Sequence, residues 1–316
     1  MLKYLVILLD DTAVSYCHYE NTKTEKRLIS LDDLKAGVLF AMKHNLTIQF
    51  VYPDYELPAP HKEAIETIDH IKMMSSENSQ NSDADVIIFQ SDKSFTREKI
   101  DKNREKILVV KSSKKALSGI GKIISENDGK ITRLNLVLTD IETFTEEDFA
   151  AYKQFLEKIR ETVEKQYRNG QIPQINLLTD RILLEKMNNC NAGVENITLA
   201  PNGKFYICPA FYFENEEDNI GALSSGTDIK NPQLYRLEYA PLCRRCDAFQ
   251  CRRCVWLNRK TTLEVNTPSH EQCVTAHLER NASEKLCNDL KSAGYFSDKE
   301  IKSVDYLDPF ETIEKF

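Results

Sequence analysis

The chain has no long hydrophobic run. The opening stretch, Tyr4-Leu-Val-Ile-Leu-Leu9, stops at Asp10-Asp11 after six residues and has no small-residue cleavage site behind it. That is too short for the apolar region of a secretion signal and far below the roughly 20 residues that cross a bilayer. It reads as a buried β-strand, and the chain as cytoplasmic with no membrane partner. A glycine-rich phosphate loop, an HExxH pair and a GxSxG elbow are also missing, so phosphate-loop nucleotide chemistry, zincin proteolysis and α/β-hydrolase chemistry have no footing. Positive charge is not in surplus: 42 basic residues against 49 acidic ones give a net charge of −7, which argues against a nucleic-acid binder. Between Cys17 and Cys190 there is no cysteine at all, although the chain holds nine.

What is present describes a globular α/β protein. Hydrophobic residues make up 41% and charged residues 29% of the 316 positions, enough for one large domain and a smaller appendage. Apolar runs at 3–9, 46–52, 85–90, 107–111, 132–139 and 174–178 are strand candidates. Helical periodicity lies between them. One helix opens at Ser30, with Asp33 as its capping partner and Leu31, Leu34, Val38 and Met42 on one face. A longer one covers 145–168, with Phe149, Tyr152, Leu156, Ile159 and Val163 in register and Gly170 placed to end it. Six βα units with continuously apolar strands imply a parallel sheet under helices, either a partial six-strand barrel or an open doubly wound sheet. Residues 70–84 are polar and read as a surface loop. After about residue 187 the rhythm changes to turns and cysteines, which divides the chain into 1–187 and 188–316.

The cysteines of the second part have a distinctive spacing. Cys190 is followed by twelve residues, Gly203, four residues and Cys208; then come Cys243-Arg-Arg-Cys246-Asp-Ala-Phe-Gln-Cys251-Arg-Arg-Cys254 and, after eighteen residues, Cys273. A disulfide framework fits neither the compartment nor the odd count. One zinc ion could take the two CxxC pairs, but their separation is short for a zinc ribbon and three cysteines would be left over. Closely spaced CxxC pairs completed by distant cysteines suit iron–sulfur ligation. The interleaved Arg244, Arg245, Arg252 and Arg253, with Arg259, would offset the negative charge of such a cluster or form a solvated basic face.

This order of cysteines resembles the SPASM domain, the twitch-type extension of radical-SAM peptide maturases, whose usual gaps of five and three residues are four and two here. Cys208-Pro-Ala after a hairpin, the following Ile220-Gly221 and the upstream βα units resemble it too. The stretch CRRCVWLNRKTTLEVNTPSHEQC with HLERNAS after it resembles, more narrowly, the CXXX repeat peptide maturases. The resemblance implies a partial (βα)6 TIM-like barrel over 1–187 and an iron–sulfur domain over 188–316. It implies two [4Fe–4S] clusters, one on Cys190, Cys208 and Cys254 with an open iron, the other on Cys243, Cys246, Cys251 and Cys273. Its implied partners are a precursor peptide with repeated cysteines and a second maturase or reductant. The family also needs CxxxCxxC after the first strand to hold the cluster that cleaves S-adenosylmethionine. Here the matching positions are Asp10, Val14 and Cys17, and FVYPDYELP stands where a Gly-Gly-Glu-Pro run is usual. Classical radical-SAM activity is therefore not expected.

Other positions carry weaker signals. Asp10 and Asp11 at a strand end could bind a cation, serve as acid and base, or merely cap a helix or turn. Cys17 beside His18 could be a nucleophile or ligand, or a buried apolar residue. His270 could hydrogen-bond a ligand of the metal domain or lie in a plain loop; Trp256 reads as packing over the cysteines and Cys287 as helix core.

Overall fold

The computed structural model describes residues 2–78, 83–127, 129, 131–183, 190–248, 251 and 254–296. Its first strand, β1 (Tyr4–Leu8), is the opening apolar run, and Leu5, Ile7 and Leu8 are fully buried. Helix α1 (Leu31–His44) starts where Ser30 accepts a hydrogen bond from the Asp33 backbone and ends at Asn45, whose φ of 53° suits a residue that tolerates the left-handed region. Its buried face is Leu34, Gly37, Val38 and Ala41. Met42, expected on that face, is 59% exposed, because the helix turns its small residues inward and Gly37 lies against the Leu199 side chain.

The chain continues through β2 (Thr47–Val51), α2 (Ala59–Ile65), β3 (His70–Ser75), β4 (Val86–Phe89), α3 (Arg97–Lys102), β5 (Ile107–Ser112), α4 (Leu117–Glu126) and β6 (Arg133–Leu138). Then follow α5 (Glu146–Arg168), β7 (Gln174–Ile175) and α6 (Asp180–Leu183). Strand β3 corrects the expected surface loop at 70–84. It pairs in parallel with both β2 and β4 and buries Met73 and Met74. Its sequence, HIKMMS, hid this because its first half is only partly buried and Lys72 reaches out to Glu66; two apolar neighbouring strands decide its conformation. Residues 79–82, also within that expected loop, lie outside the described residues. Helix α5 buries Phe149, Tyr152, Leu156, Ile159 and Val163, as its spacing requires.

The nine-stranded sheet runs β7-β6-β5-β4-β3-β2-β1-β8-β9, with β8 (Asn196–Leu199) parallel to β1 and β9 (Phe205–Tyr206) antiparallel to β8. From β1 to β7 the order follows the chain, without the reversal that marks a doubly wound sheet. Because β1 to β7 all run parallel, the loops that follow these strands come to one edge of the sheet. Beyond β9 come α7 (Pro209–Glu214), a small ladder of β10 (Gly221–Ala222) with β11 (Gly226–Thr227), then α8 (Val255–Thr262) and α9 (His270–Lys291). The expected division at 187 falls on 184–189, outside the described residues. Elements on its far side join the near ones: β8 extends the sheet beside β1, and Arg160 on α5 pairs with Asp289 on α9. No helix among the described residues is long and apolar enough to cross a membrane.

Candidate metal centre

The loop after β1 leaves the sheet at Leu9 and returns at Ile29, whose N–H donates to the Leu9 carbonyl at 2.8 Å. Between those points it is held by side chains. The Asp10 carboxylate accepts from the Thr12 backbone at 2.8 Å, the Thr12 hydroxyl at 2.6 Å and the Tyr55 hydroxyl at 2.8 Å. Asp11 pairs with Arg27 at 2.9 Å and accepts from the Tyr212 hydroxyl. Both carboxylates, weighed as acid and base, thus hold the loop together, and neither lines the cavity described below. Val14 is buried in the apolar core. Farther along, the Lys111 ammonium donates to the Ser15 hydroxyl at 2.8 Å and the Tyr19 carbonyl at 2.7 Å, and burial lowers its pKa to about 8. His18 is buried, with Nδ1 donating to the Leu138 carbonyl at 2.8 Å. Asp10, Val14 and Cys17 thus have different surroundings. Of the three, only Cys17 reaches the cavity.

That cavity, of about 520 Å³, is walled by Cys17, Cys190, Cys208 and Cys254, with Tyr4, Val6 and Gln49 from the sheet and Trp256 from α8 among its other sides. Each thiol arrives on a different piece of chain. Cys190 is exposed at the approach to β8. Cys208 precedes α7 and Cys254 precedes α8, each as the residue capping its helix. The hairpin that delivers Cys208 turns at Gly203, whose φ of 72° suits glycine. Helices α7 and α8 are clamped together through Glu214, which accepts from Trp256 Nε1 at 2.7 Å and pairs with Arg259 at 2.6 Å, while Arg259 also pairs with Asp218 at 2.7 Å. Arg259 therefore positions the helix that carries Cys254. Burial, above all, pushes the Cys208 thiol well up, with Cys190 and Cys17 adding to it, while the N–H groups of Ala210 and Phe211 pull the other way. For Cys254 the first cause of its raised pKa is a hydrogen bond with the Cys17 thiol, followed by burial and by Cys17, Cys190 and Cys208 as charges.

A second group forms from Cys243, Cys246, Cys251 and Cys273. Burial and then the neighbouring Cys243, Cys273 and Cys246 raise the Cys251 pKa, and burial with Cys243 and Cys246 pushes Cys273 up to about 12. As thiolates, cysteines that raise one another in this way would repel, and cations compensate such repulsion. Among the described residues, Arg181 and Arg280 favour the ionised form of Cys246, with Arg181 doing the same at Cys251. Arg181 has a fully buried side chain paired with Glu279 at 2.7 Å. Arg244 and Arg245 are exposed, and Arg252 and Arg253 lie outside the described residues. His277 places Nε2 3.6 Å from the Cys246 sulfur, the position sought for His270, which instead is exposed with its ring 6.3 Å from that of Phe149. Cys273, His277 and Arg280 follow at spacings of four and three, one face of a helix, and that spacing is the signal that could have found them. Cys287 is buried in the core beside Leu286 and Leu290.

The donor chemistry suits iron–sulfur ligation: two groups of thiols, one around a sizeable cavity and one beside buried arginines. Among the described residues no three His, Cys, Asp or Glu side chains are already drawn in closely enough to hold a single ion.

No protein-family profile and no curated protein matches the chain. Solved structures do. Histidine-tagged anSMEcpe with bound AdoMet shares 12% identity at a TM-score of 0.65 over 95% of this chain and 100% of that one. Native anSMEcpe with bound AdoMet and the Cp18Cys peptide shares 13% identity at a TM-score of 0.62 over 92% of this chain and 99% of that one. The likeness spans both the sheet and the cysteine-bearing elements, and at that identity it is a likeness of fold.

Proposed function

We propose that this chain acts in the maturation of a ribosomally synthesised, cysteine-repeat (CXXX) peptide, as a SPASM-type iron–sulfur protein with no S-adenosylmethionine cluster of its own. The observation that carries this reading is the cavity of about 520 Å³ where Cys190, Cys208 and Cys254 meet the sheet-borne Tyr4, Val6 and Gln49. A cavity of that size with apolar and polar sides can take a segment of extended peptide. The fold shared with anSMEcpe, solved with both AdoMet and a peptide, supports a peptide substrate. In this reading Cys190, Cys208 and Cys254 hold one [4Fe–4S] cluster and Cys243, Cys246, Cys251 and Cys273 the other. Such clusters supply electron transfer at a potential set by nearby charge and hydrogen bonds. The chain's own residues give the cavity apolar walls with Tyr4, Val6 and Trp256 and offer Gln49 and Asn196 to a peptide backbone. What supports the absence of an S-adenosylmethionine cluster is Val14, a residue that cannot ligate iron and that is packed in the core where the resemblance puts the family's second ligand.

That same buried Val14 favours a second reading, in which the chain binds the peptide and passes electrons to another maturase in the cytoplasm without modifying it. Anaerobic protein incubated with precursor peptide, with and without S-adenosylmethionine and reductant, separates the two by mass spectrometry. A mass change in the peptide without 5′-deoxyadenosine supports the enzyme. An unchanged peptide that still co-elutes with the protein supports the carrier. Formation of 5′-deoxyadenosine would overturn the absence of the cofactor cluster, and colourless protein with stoichiometric zinc would overturn the iron–sulfur reading.

A further inference from the structure

The resemblance leaves the cluster of Cys190, Cys208 and Cys254 one ligand short. We propose that Cys17, from the loop after β1, is the fourth ligand, so that this cluster is closed by protein thiols and has no open iron. Three observations carry it. Cys17 lies on the same cavity wall as the other three cysteines. The Cys254 thiol feels Cys17 through a side-chain hydrogen bond and, after burial, as a charge, together with Cys190 and Cys208. And the loop is built to keep it there. Residues on both sides of Cys17 are tied to distant strands: Ser15 and Tyr19 to Lys111 on β5, His18 to Leu138 on β6, and the Ser15 carbonyl to the Gln90 amide after β4. Tyr19 also stacks on Phe213 of α7, ring centroids 5.5 Å apart, which joins the loop to the helix that Cys208 begins.

The geometry gives the loop a different purpose from the one its family position suggests. A loop that holds its own cluster needs its three ligand positions to converge. Here Asp10 is taken up by Thr12 and Tyr55, Val14 is in the core, and Cys17 alone turns to the cavity. Ligation needs only loss of the Cys17 thiol proton to solvent as its sulfur binds iron; no electron is transferred. A peptide thiolate would then have to meet the cavity beside the cluster and not on it. This inference rests on the reading of Cys190, Cys208 and Cys254 as ligands, and the test distinguishes failure of either.

Full-length wild-type protein, C17S and C17A are reconstituted anaerobically and compared with C254S. Iron and acid-labile sulfide are counted, and EPR spectra are taken oxidised and reduced, before and after addition of 2-mercaptoethanol. Wild type is expected to hold two [4Fe–4S] clusters whose EPR spectra ignore the added thiol. C17A is expected to lose one iron from one cluster, giving a three-iron signal in the oxidised state, or to keep the iron and change its spectrum when the thiol is added. C17S should fall between them, with the second cluster's signal unchanged in both variants. Wild-type and C17A spectra that respond identically to the thiol, with equal iron, would overturn Cys17 as ligand. Loss of no cluster in C254S, or zinc in the wild type, would instead sink the ligand set on which the inference rests. Should C17A fail to fold, the wild-type thiol titration alone decides: a spectral response means an open iron and ends the proposal.

Discussion

Lys111 is a buried ammonium whose close partners are a hydroxyl and a carbonyl on the loop that carries Cys17. Burial is the main reason its pKa falls from 10.5 to about 8. Between those values the unfolded chain keeps the proton that the folded chain has lost. Stability therefore rises as pH increases through that window, and it declines as pH drops toward 8, below which both states are charged and the dependence levels off. K111M removes this dependence and the two loop hydrogen bonds together. The apparent Tm of wild type minus that of K111M should accordingly increase from pH 7.5 to 10, by the equivalent of up to roughly 3 kcal/mol for a shift of this size; a pH-independent difference would show that Lys111 does not titrate in this window. His277 makes a separate case. Burial, then Arg280 and Arg181, lower its pKa, so it stays neutral at pH 7 beside the Cys246 sulfur. H277F should leave the iron content intact and shift the reduction potential of one cluster only, as loss of a hydrogen bond to a ligand sulfur does. An unshifted potential in both clusters would remove His277 from the site.

At the level of elements, α7 and α8 each begin on a thiol, and the Glu214 contacts to Trp256 and Arg259 set their separation. E214A should weaken iron retention at the Cys208 and Cys254 group by about 10- to 100-fold, the usual cost of removing support behind a ligand. Chelator-driven iron release, followed by the loss of one cluster's EPR signal before the other's, measures it. Equal release from both clusters would count against the clamp. How legible these elements were depends on where their signal resides. Helix α5 was readable because its capping residue Thr145 and its apolar positions are local in sequence. The clustering of cysteines after residue 190 was readable because CxxC spacing is a local pattern, whereas their division into two ligand sets came from the family resemblance. Strand β3 was not, since a strand carrying His70 and Lys72 forms only because β2 and β4 flank it. Nor was the meeting of Cys17 with Cys254, which are separated by most of the chain and joined by tertiary packing alone.

Across the whole molecule, the thiol groups and the sheet cannot be treated as independent parts. Strand β8, just after Cys190, pairs along β1, whose following loop carries Cys17. Helix α9 begins with Cys273 in its first turn and carries Glu279, which pairs with the buried Arg181 of α6 and accepts from Tyr152 of α5 at 2.6 Å. Metal bound by thiols on both sides of these contacts, as proposed, would stabilise the folded chain as a unit, because binding energy is present only when all ligands are in place. Iron-loaded protein should accordingly unfold in a single transition, and chelator-stripped protein in a single transition at lower temperature. Two separate transitions, with the upper one unmoved by iron removal, would show the sheet folding apart from the thiol-bearing elements. The E279A variant probes the same coupling from the protein side. It leaves Arg181 as an unpaired buried charge, a loss of about 3–5 kcal/mol. Because Arg181 also favours the ionised forms of Cys246 and Cys251, the freed guanidinium remains available to those thiolates. The variant should then lose more stability when stripped of iron than when loaded, and an equal loss in both states would separate the ion pair from the metal site.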